Sequence, residues 1–206
     1  MKRHFLLALV ALTAVSCGRG DKAANSQNSA APAANGQNSD AAPAPTAAAA
    51  TPAEPVLGLC HMGRCSVFRF DKQETVRQAG GERLLRLAAM EGIHYPAEGA
   101  EFPENARGLA VEWDDQPTEI YALCSQARPS VITRKEGGDG WDAVQLDLID
   151  GINFAVHDLA AHYVAACHPG EKLDDGFGAR AGYRGNGGGE GYDLARPEDI
   201  FSRRAG

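Results

Sequence analysis

A segment of 39 residues, Gly18–Val56, has a composition that cannot form a hydrophobic core. It consists mainly of Ala, Pro, Asn, Ser and Gln and contains no aromatic residue. Such a composition buries too little apolar area to offset the entropy lost on ordering, so we expect disorder. A flexible chain of this length has an end-to-end distance of about 35 Å. We therefore interpret residues 17–56 as a tether and expect folding to begin after it.

The N-terminus has the pattern of an export signal. The basic residues Lys2–His4 precede the eleven residues Phe5–Val15, which are apolar apart from one threonine. A helix needs about 20 apolar residues to cross a bilayer, so this run is too short for a permanent span. A basic start, a short apolar run and small residues at its end are typical of a secretory signal. We assign residues 1–16 as a signal peptide.

The residues at the end of this signal, Ala14–Cys17 (AVSC), resemble the lipobox of bacterial lipoproteins. The resemblance covers residues 1–17 and implies that Cys17 carries diacylglycerol on sulfur and an acyl chain on its new amino group. Three acyl chains would hold the protein firmly, since two already anchor stably. Gly18 rather than Asp follows the cysteine, which resembles the pattern of outer-membrane lipoproteins. The implied location is the cell envelope, on the periplasmic face of the outer membrane of a two-membraned bacterium.

The next part of the chain, residues 57–170, has the size of one domain. It contains four cysteines: Cys60, Cys65, Cys124 and Cys167. An even number of cysteines in an exported chain predicts two disulfides, for which three connectivities exist. Cys60 and Cys65 flank a predicted four-residue hairpin tip, His61–Arg64, so we pair them. Cys124 and Cys167 would then join a strand to a helix.

A structural zinc site is the alternative for the same cysteines. The spacing of Cys60 and Cys65 suits structural zinc, and His61 and His168 each follow a cysteine directly. A zinc site would normally need a second close cysteine pair, which this sequence lacks. We therefore expect disulfides, with no metal and no cofactor.

The pattern of apolar residues predicts a small β-rich domain of the α+β class. Alternation predicts strands in these segments: Ser66–Phe70, Leu109–Trp113, Thr118–Ser125, and a hairpin of Pro129–Lys135 with Trp141–Ile149. Residues 74–90 are ambiguous. Their Leu, Ala, Met and Glu favour helix, whereas Gly80-Gly81 between two similar runs indicates a hairpin. We predict strands there.

One helix is predicted at the end of the domain, beginning near Asn153 as its N-cap. It has an apolar stripe with spacings of three and four: Val156, Leu159, Ala160, Tyr163 and Cys167. His168-Pro169-Gly170 ends it. The stripe places Cys167 on the buried face, where the inward-facing Cys124 could meet it.

The histidines of this helix do not form a recognisable catalytic or metal site. His157 and His162 lie five residues apart, about 140° around a helix, and so cannot chelate one metal as an i, i+4 pair would. Asp158 and His162 share a helix face, and we expect an exposed charge pair there. We find no nucleophile elbow, phosphate-binding loop or dinucleotide fingerprint, and the catalytic residues stay unassigned.

A group of acids beside Trp113 is the other candidate. Glu112, Asp114 and Asp115 could suit sugar hydrolysis, for which enzymes use two carboxylates. The domain is rich in acids, however, since the chain has 27 Asp and Glu against 20 Lys and Arg. Coincidence is therefore the better explanation of this group.

The acidic surface argues against binding to nucleic acid or to anionic lipid headgroups. We expect a non-catalytic binding or interaction domain that faces the periplasm. Its expected partner is an envelope protein or a glycan, and its contact with the membrane is through the lipid on Cys17. The alternative is a metal-handling protein or a hydrolase that uses the Cys/His neighbours or an acidic pair.

The last part of the chain, residues 171–206, is rich in glycine. It opens with the sequence EKLDDGFGARAGYRGNGGGEG. We expect a disordered tail, with Pro197–Arg204 as a frayed end rather than a short binding helix.

Overall fold

The computed structural model describes residues 54–150, 152–185, 187–188 and 191–203. The predicted signal peptide, the lipidation site Cys17 and the tether up to residue 53 lie outside the described residues. Within the described ranges, no helix combines the length and the apolar character needed to cross a membrane.

Eight antiparallel strands form one sheet in this part of the chain, which confirms the predicted α+β class. The strands are β1 (Val56–His61), β2 (Arg64–Ala79), β3 (Glu82–His94), β4 (Glu112–Trp113), β5 (Thr118–Cys124), β6 (Ser130–Arg134), β7 (Trp141–Gln145) and β8 (Gly191–Leu194). The helices are α1 (His157–Cys167) and α2 (Phe177–Arg180), with 3-10 turns at Phe154–Val156 and Pro197–Ser202. The order across the sheet is β1-β2-β3-β5-β6-β7-β8.

The long strand β3 has two partners along its second edge. It pairs with β5 over Arg83–Ala89 and with the short β4 at Gly92 and Ile93. The sheet therefore divides beside Glu91, where the pairing changes from β5 to β4.

The ambiguous residues 74–90 form the β2–β3 hairpin, as predicted. The chain turns at Gly80 and Gly81, whose φ values of 58° and 84° are accessible to glycine without steric cost. β3 lies in the middle of the sheet, and both Leu84 and Leu85 are buried on its opposite faces. A strand buried on both faces has no polar alternation, which explains why this sequence also resembled a helix.

Helix α1 covers one face of the sheet. Asn153 caps the 3-10 turn before the helix, and its side chain accepts a hydrogen bond from the Ala155 amide. Tyr163, at 0% exposure, and Val164 pack against inward-facing residues of β3, β5 and β6. Since Cys167 is bonded to Cys124 of β5, the helix end is also fixed covalently to the sheet.

The expectation of a disordered tail is wrong for the described residues after Gly170. They include α2, which packs on the first core, the buried cluster of Leu85, Leu87 and Tyr163 beneath α1. They also include β8 and the second 3-10 turn, which cover the second core, the cluster of Leu84 and Leu123 on the opposite face. Four of their large side chains are at most 7% exposed: Phe177, Tyr183, Leu194 and Ile200. The domain boundary at residue 170 is therefore too early.

The glycines of this region serve close packing. A Cβ atom on Gly178 would lie 1.7 Å from the carbonyl oxygen of Leu148, and one on Gly188 would lie 2.4 Å from the amide nitrogen of Asp147. Both distances are far below van der Waals contact. Glycine is needed at these two positions because the backbone passes close to residues 147 and 148, which follow β7.

Candidate functional site

Cys60 and Cys65 form a disulfide across the β1–β2 hairpin, as the spacing predicted. The tip of this hairpin is Met62-Gly63, two residues rather than the predicted four, because residues 61 and 64 pair in the sheet. Both tip residues have positive φ, 49° and 75°, which is typical of a type I′ turn. The bonded sulfur atoms offer no thiolate, so this pair is not a zinc site.

Cys124 and Cys167 form the second disulfide. His168, considered as a metal ligand because it follows a cysteine, instead has its Nε2 atom 2.7 Å from the hydroxyl of Tyr183. That hydroxyl lies 2.8 Å from the hydroxyl of Tyr163. In the described part of the chain, no three His, Cys, Asp or Glu residues are grouped so that they could hold a metal ion.

A cavity of about 850 Å³ opens on the face of the sheet that carries α1. Inward-facing residues of β3 are apolar up to Ala89 and then change to Glu91. On β6, Val131 is likewise followed by Thr133, which lines the cavity. We name this cavity the acidic bay, because five carboxylates line it, those of Glu91, Asp114, Glu136, Asp142 and Asp158, together with three basic side chains, His162, Arg134 and Lys135.

Two basic side chains on the rim of the acidic bay already have acidic partners. The Nζ atom of Lys135 lies 2.7 Å from an oxygen of Asp193. Arg134 lies 3.9 Å from an oxygen of Glu119, and its guanidinium lies 4.0 Å from the centroid of the Trp141 ring. Lys135 also lies 3.9 Å from an oxygen of Asp142, but neither basic side chain is paired with Glu91, Asp114 or Asp158.

His162 forms the inner wall of the bay and is 5% exposed. Its ring stacks on Phe68 with centroids 3.9 Å apart, and its Nδ1 atom donates to the backbone oxygen of Asp158 over 2.7 Å. Because a carbonyl only accepts, Nδ1 carries the proton and Nε2 of the neutral ring is an acceptor. Nε2 is buried and has no hydrogen-bond partner. Its nearest charged neighbour is Glu91 Oε1 at 3.6 Å, which is too long for a hydrogen bond.

The predicted exposed pair of Asp158 and His162 is therefore wrong in two respects. The histidine is buried, and it bonds the backbone of Asp158 rather than the carboxylate. The carboxylate oxygen Oδ1 instead accepts from the Leu59 amide at 2.7 Å and the Ser66 hydroxyl at 2.8 Å. Asp158 thus joins the helix to β1 and β2.

Burial, hydrogen bonds and neighbouring charges shift the pKa values of Glu91, Asp158 and His162. Burial, followed by the charges of Asp114 and Asp158, raises the pKa of Glu91. Burial opposes ionisation of Asp158, but His157, whose Nδ1 atom lies 3.8 Å away, and the hydrogen bonds from Leu59 and Ser66 outweigh it and lower the pKa of Asp158. Burial lowers the pKa of His162, so this ring is neutral at neutral pH.

Of the acids predicted beside Trp113, the structure places one in the bay. The Asp114 amide donates to the Glu91 backbone oxygen over 2.9 Å, which brings its side chain to the bay wall. Glu112 and Asp115 are exposed outside it. The described residues provide no ion pair from Lys or Arg to Glu91, Asp114 or Asp158.

Glu91 was missed by the sequence reasoning. The sequence does contain an indication of its position, because Glu91 continues the alternating series Leu85, Leu87 and Ala89. This indication is useful only when it is known that residues 82–94 form a strand and which face of that strand is covered. Gly92 beside it is also informative, since a Cβ atom there would lie 2.7 Å from the backbone oxygen of Glu112.

A second cavity, of about 610 Å³, lies between β1, α1 and residues 169–173. Its walls are mainly apolar, with Leu57, Phe70, Val164 and Leu173 among them. Its lining also includes Glu54, Glu104, Glu171, Lys172 and His157, whose Nδ1 atom is buried without a hydrogen-bond partner.

The chain was compared with protein-family models, with curated proteins and with solved structures. None of the three comparisons gives a match.

Proposed function

We propose that this chain is a lipid-anchored protein of the bacterial cell envelope whose folded domain binds a ligand in the acidic bay. The lipobox-like Ala14–Cys17 segment supports the anchor. Two disulfides in one domain suit the oxidising compartment that such a location provides. A tether between Cys17 and the domain would let the bay face the periplasm.

The observation that carries the binding role is the set of unbalanced groups in the bay. A buried acceptor without a donor and carboxylates without a basic partner each cost stability. His162 Nε2 and the Glu91 carboxyl lie 3.6 Å apart and show both conditions. Natural proteins keep such costs where function requires them.

Mass spectrometry of the protein from its own cells tests the anchor. We expect a chain that begins at Cys17 with diacylglycerol and an acyl group on that residue. A Cys17→Ser variant should lose membrane retention, while Cys60→Ser/Cys65→Ser should keep it. A mature chain that begins elsewhere, or an unmodified Cys17, would exclude the anchor.

Site-specific crosslinking tests the bay. A photoreactive amino acid at Thr133, inside the bay, should give a defined adduct in intact cells. The same amino acid at the exposed Thr75 of β2 is the matched control and should not give it. Glu91→Arg should abolish the Thr133 adduct and Glu98→Arg should not. Equal adducts at both positions, or an adduct that survives Glu91→Arg, would exclude the bay as the binding site.

A hydrolase is the second candidate, and the opposite pKa shifts of Glu91 and Asp158 favour it. Paired carboxyl groups with pKa values moved apart can act as acid and base. In a hydrolase, Glu91→Gln would lower turnover of an envelope glycan, measured as released reducing sugar, while the glycan still binds. Without turnover by the wild-type protein, the binding role stands.

A further inference from the structure

We infer that the acidic bay recognises a primary ammonium group carried on a short apolar stem. This inference rests on the proposed binding function and names the class of its ligand.

Hydrogen-bond acceptors outnumber donors at the inner wall of the acidic bay. Glu91 presents carboxylate oxygens, and His162 presents Nε2 as a buried acceptor without a donor. With 3.6 Å between Oε1 and Nε2, one nitrogen atom can lie about 2.9 Å from both and donate to each. The Glu91 side chain is 40% exposed, so a rotation about its bonds can admit the ligand. The ligand must supply donors, since the protein provides acceptors at this point.

Negative charge is also unbalanced around Glu91. Asp114 and Asp158 both act on Glu91 as like charges, and in the part of the chain that the structure describes no Lys or Arg is paired with any of the three. A bound cation would offset this repulsion and form charge-assisted hydrogen bonds, which are about twice as strong as neutral ones.

The spacing of these groups suits an organic cation rather than a metal ion. Calcium needs six to eight oxygen ligands at about 2.3–2.6 Å from one point. The described carboxylates and histidines are not grouped closely enough for that. N–H donors on an ammonium group point in several directions and reach acceptors that are more widely spaced.

The apolar wall of the bay indicates the stem. Phe68, Ile93, Ile120 and Leu159 line the same cavity as the carboxylates. An alkyl or similar uncharged group attached to the ammonium would contact these side chains and gain about 0.8 kcal/mol per buried methylene. The basic residues of the opposite rim, Arg134 and Lys135, disfavour a second positive charge on the ligand.

The test is a titration of the full mature chain in detergent with n-butylammonium chloride, followed by calorimetry and by the ¹⁵N shift of His162 Nε2. We expect saturable binding and an upfield shift of Nε2. Glu91→Gln should weaken binding at least tenfold, because a charge-assisted bond is lost. Glu98→Gln, the same change at an exposed site, should stay within twofold of wild type.

Matched probes decide the chemistry of the ligand. n-Butanol lacks the charge and tetramethylammonium lacks N–H donors, so neither should bind. Binding of n-butanol as strong as that of n-butylammonium, tighter binding of n-butylguanidinium, or binding of calcium chloride in its place would overturn the inference.

If Glu91→Gln does not fold, Asp114→Asn serves instead, because Asp114 is exposed and should tolerate the change.

The two proposals fail in different ways. A Thr133 adduct without n-butylammonium binding would leave the bay as a binding site and overturn the ligand class alone. Absence of both the adduct and the binding would overturn the proposed function as well.

Discussion

Glu91 holds a carboxyl group where burial and two neighbouring carboxylates all oppose its ionisation. Its folded-state pKa is therefore above its unfolded value, and the folded state binds the proton more tightly. By linkage, the contribution of Glu91 to stability falls as pH rises from about 4.3, the ordinary pKa of glutamate, through the folded pKa. At neutral pH this residue destabilises the domain.

We expect Glu91→Gln to increase the free energy of unfolding at pH 7–8, because glutamine carries no charge. The gain should shrink as pH falls through the folded pKa and disappear below about pH 4.3. Urea denaturation across this range measures it, with Glu98→Gln as the parallel control. No gain in the free energy of unfolding at pH 8 would contradict this prediction, because it would mean that the folded protein already compensates the charge of Glu91.

Arg128 is a buried cation with all its partners defined. It is 7% exposed, donates from Nε to Glu82 over 2.8 Å, and donates from Nη1 to the backbone oxygens of Ile200 and Arg203. Ser125 also donates to the same Glu82 carboxylate. This network fixes the C-terminal 3-10 turn to the sheet.

We predict that Arg128→Ala lowers the free energy of unfolding by about 3–5 kcal/mol, because it leaves the Glu82 carboxylate, which is only 19% exposed, without its cation and the backbone oxygens of Ile200 and Arg203 without their donor. Arg128→Lys should restore little, since an ammonium group cannot reproduce the guanidinium geometry. Urea denaturation is the measurement. Arg107→Ala, which removes a side chain that is 79% exposed, should cost at most about 1 kcal/mol. Equal losses at both positions would contradict the network.

The elements after Gly170 complete the fold rather than extend from it. β8 pairs with β7, and Ile200 lies on the core formed by Trp141 and Leu194. On the other face, Phe177 is 1% exposed against the first core. The second core is closed only when these residues are present.

Deletion of residues 171–206 should therefore abolish cooperative folding. Burial of Phe177 and Ile200 alone contributes about 1.5–3 kcal/mol each, against a total of about 5–15 kcal/mol for a typical domain. We expect loss of the near-ultraviolet circular dichroism and binding of a hydrophobic dye. Deletion of residues 204–206 is the control. This variant should keep the native near-ultraviolet circular dichroism and should not bind the dye. A truncated chain that still unfolds cooperatively would contradict the role of these elements.

Strands and the helix differ in how far local pattern predicted them. The expected segments Thr118–Ser125 and Pro129–Lys135 agree with β5 and β6 to within one residue at each end, whereas the expected Trp141–Ile149 is too long, because β7 ends at Gln145. β4 is limited to Glu112–Trp113, although alternation predicted a strand from Leu109, because β3 offers it only two pairing positions. Strand length therefore depended on a partner that is distant in sequence.

Each disulfide stabilises the whole domain, and the contribution to the free energy of unfolding is larger for the bond that closes the longer segment of chain. Cys124–Cys167 spans 43 residues and Cys60–Cys65 spans five. We predict that replacing the first pair by alanine lowers the free energy of unfolding by about 4 kcal/mol and the second by about 2 kcal/mol. Guanidinium denaturation of both double variants measures the difference, and each variant is the control for the other. A larger loss from the short loop would contradict the chain-entropy account.

Asn153 was predicted as the N-cap of the helix, but it caps the 3-10 turn Phe154–Val156, and α1 begins at His157. Local spacing and alternation were sufficient for the α+β class, the β2–β3 hairpin, the presence of the helix and both cysteine pairs. Each of these depends on residues that are near one another in sequence or on which face of one element they occupy. Cys124 and Cys167 could be paired from a distance because each was inward-facing by its own periodicity.

Only the tertiary structure decided the site. Glu91, Asp114 and Asp158 come from β3, the segment after β4 and α1, and no local pattern shows that their carboxylates meet beside His162. The tertiary structure also decided the role of Gly178 and Gly188. Whether a glycine permits a flexible segment or a close backbone contact depends on what lies against it. For Gly178, that neighbour is the backbone of Leu148, about 30 residues earlier in the chain.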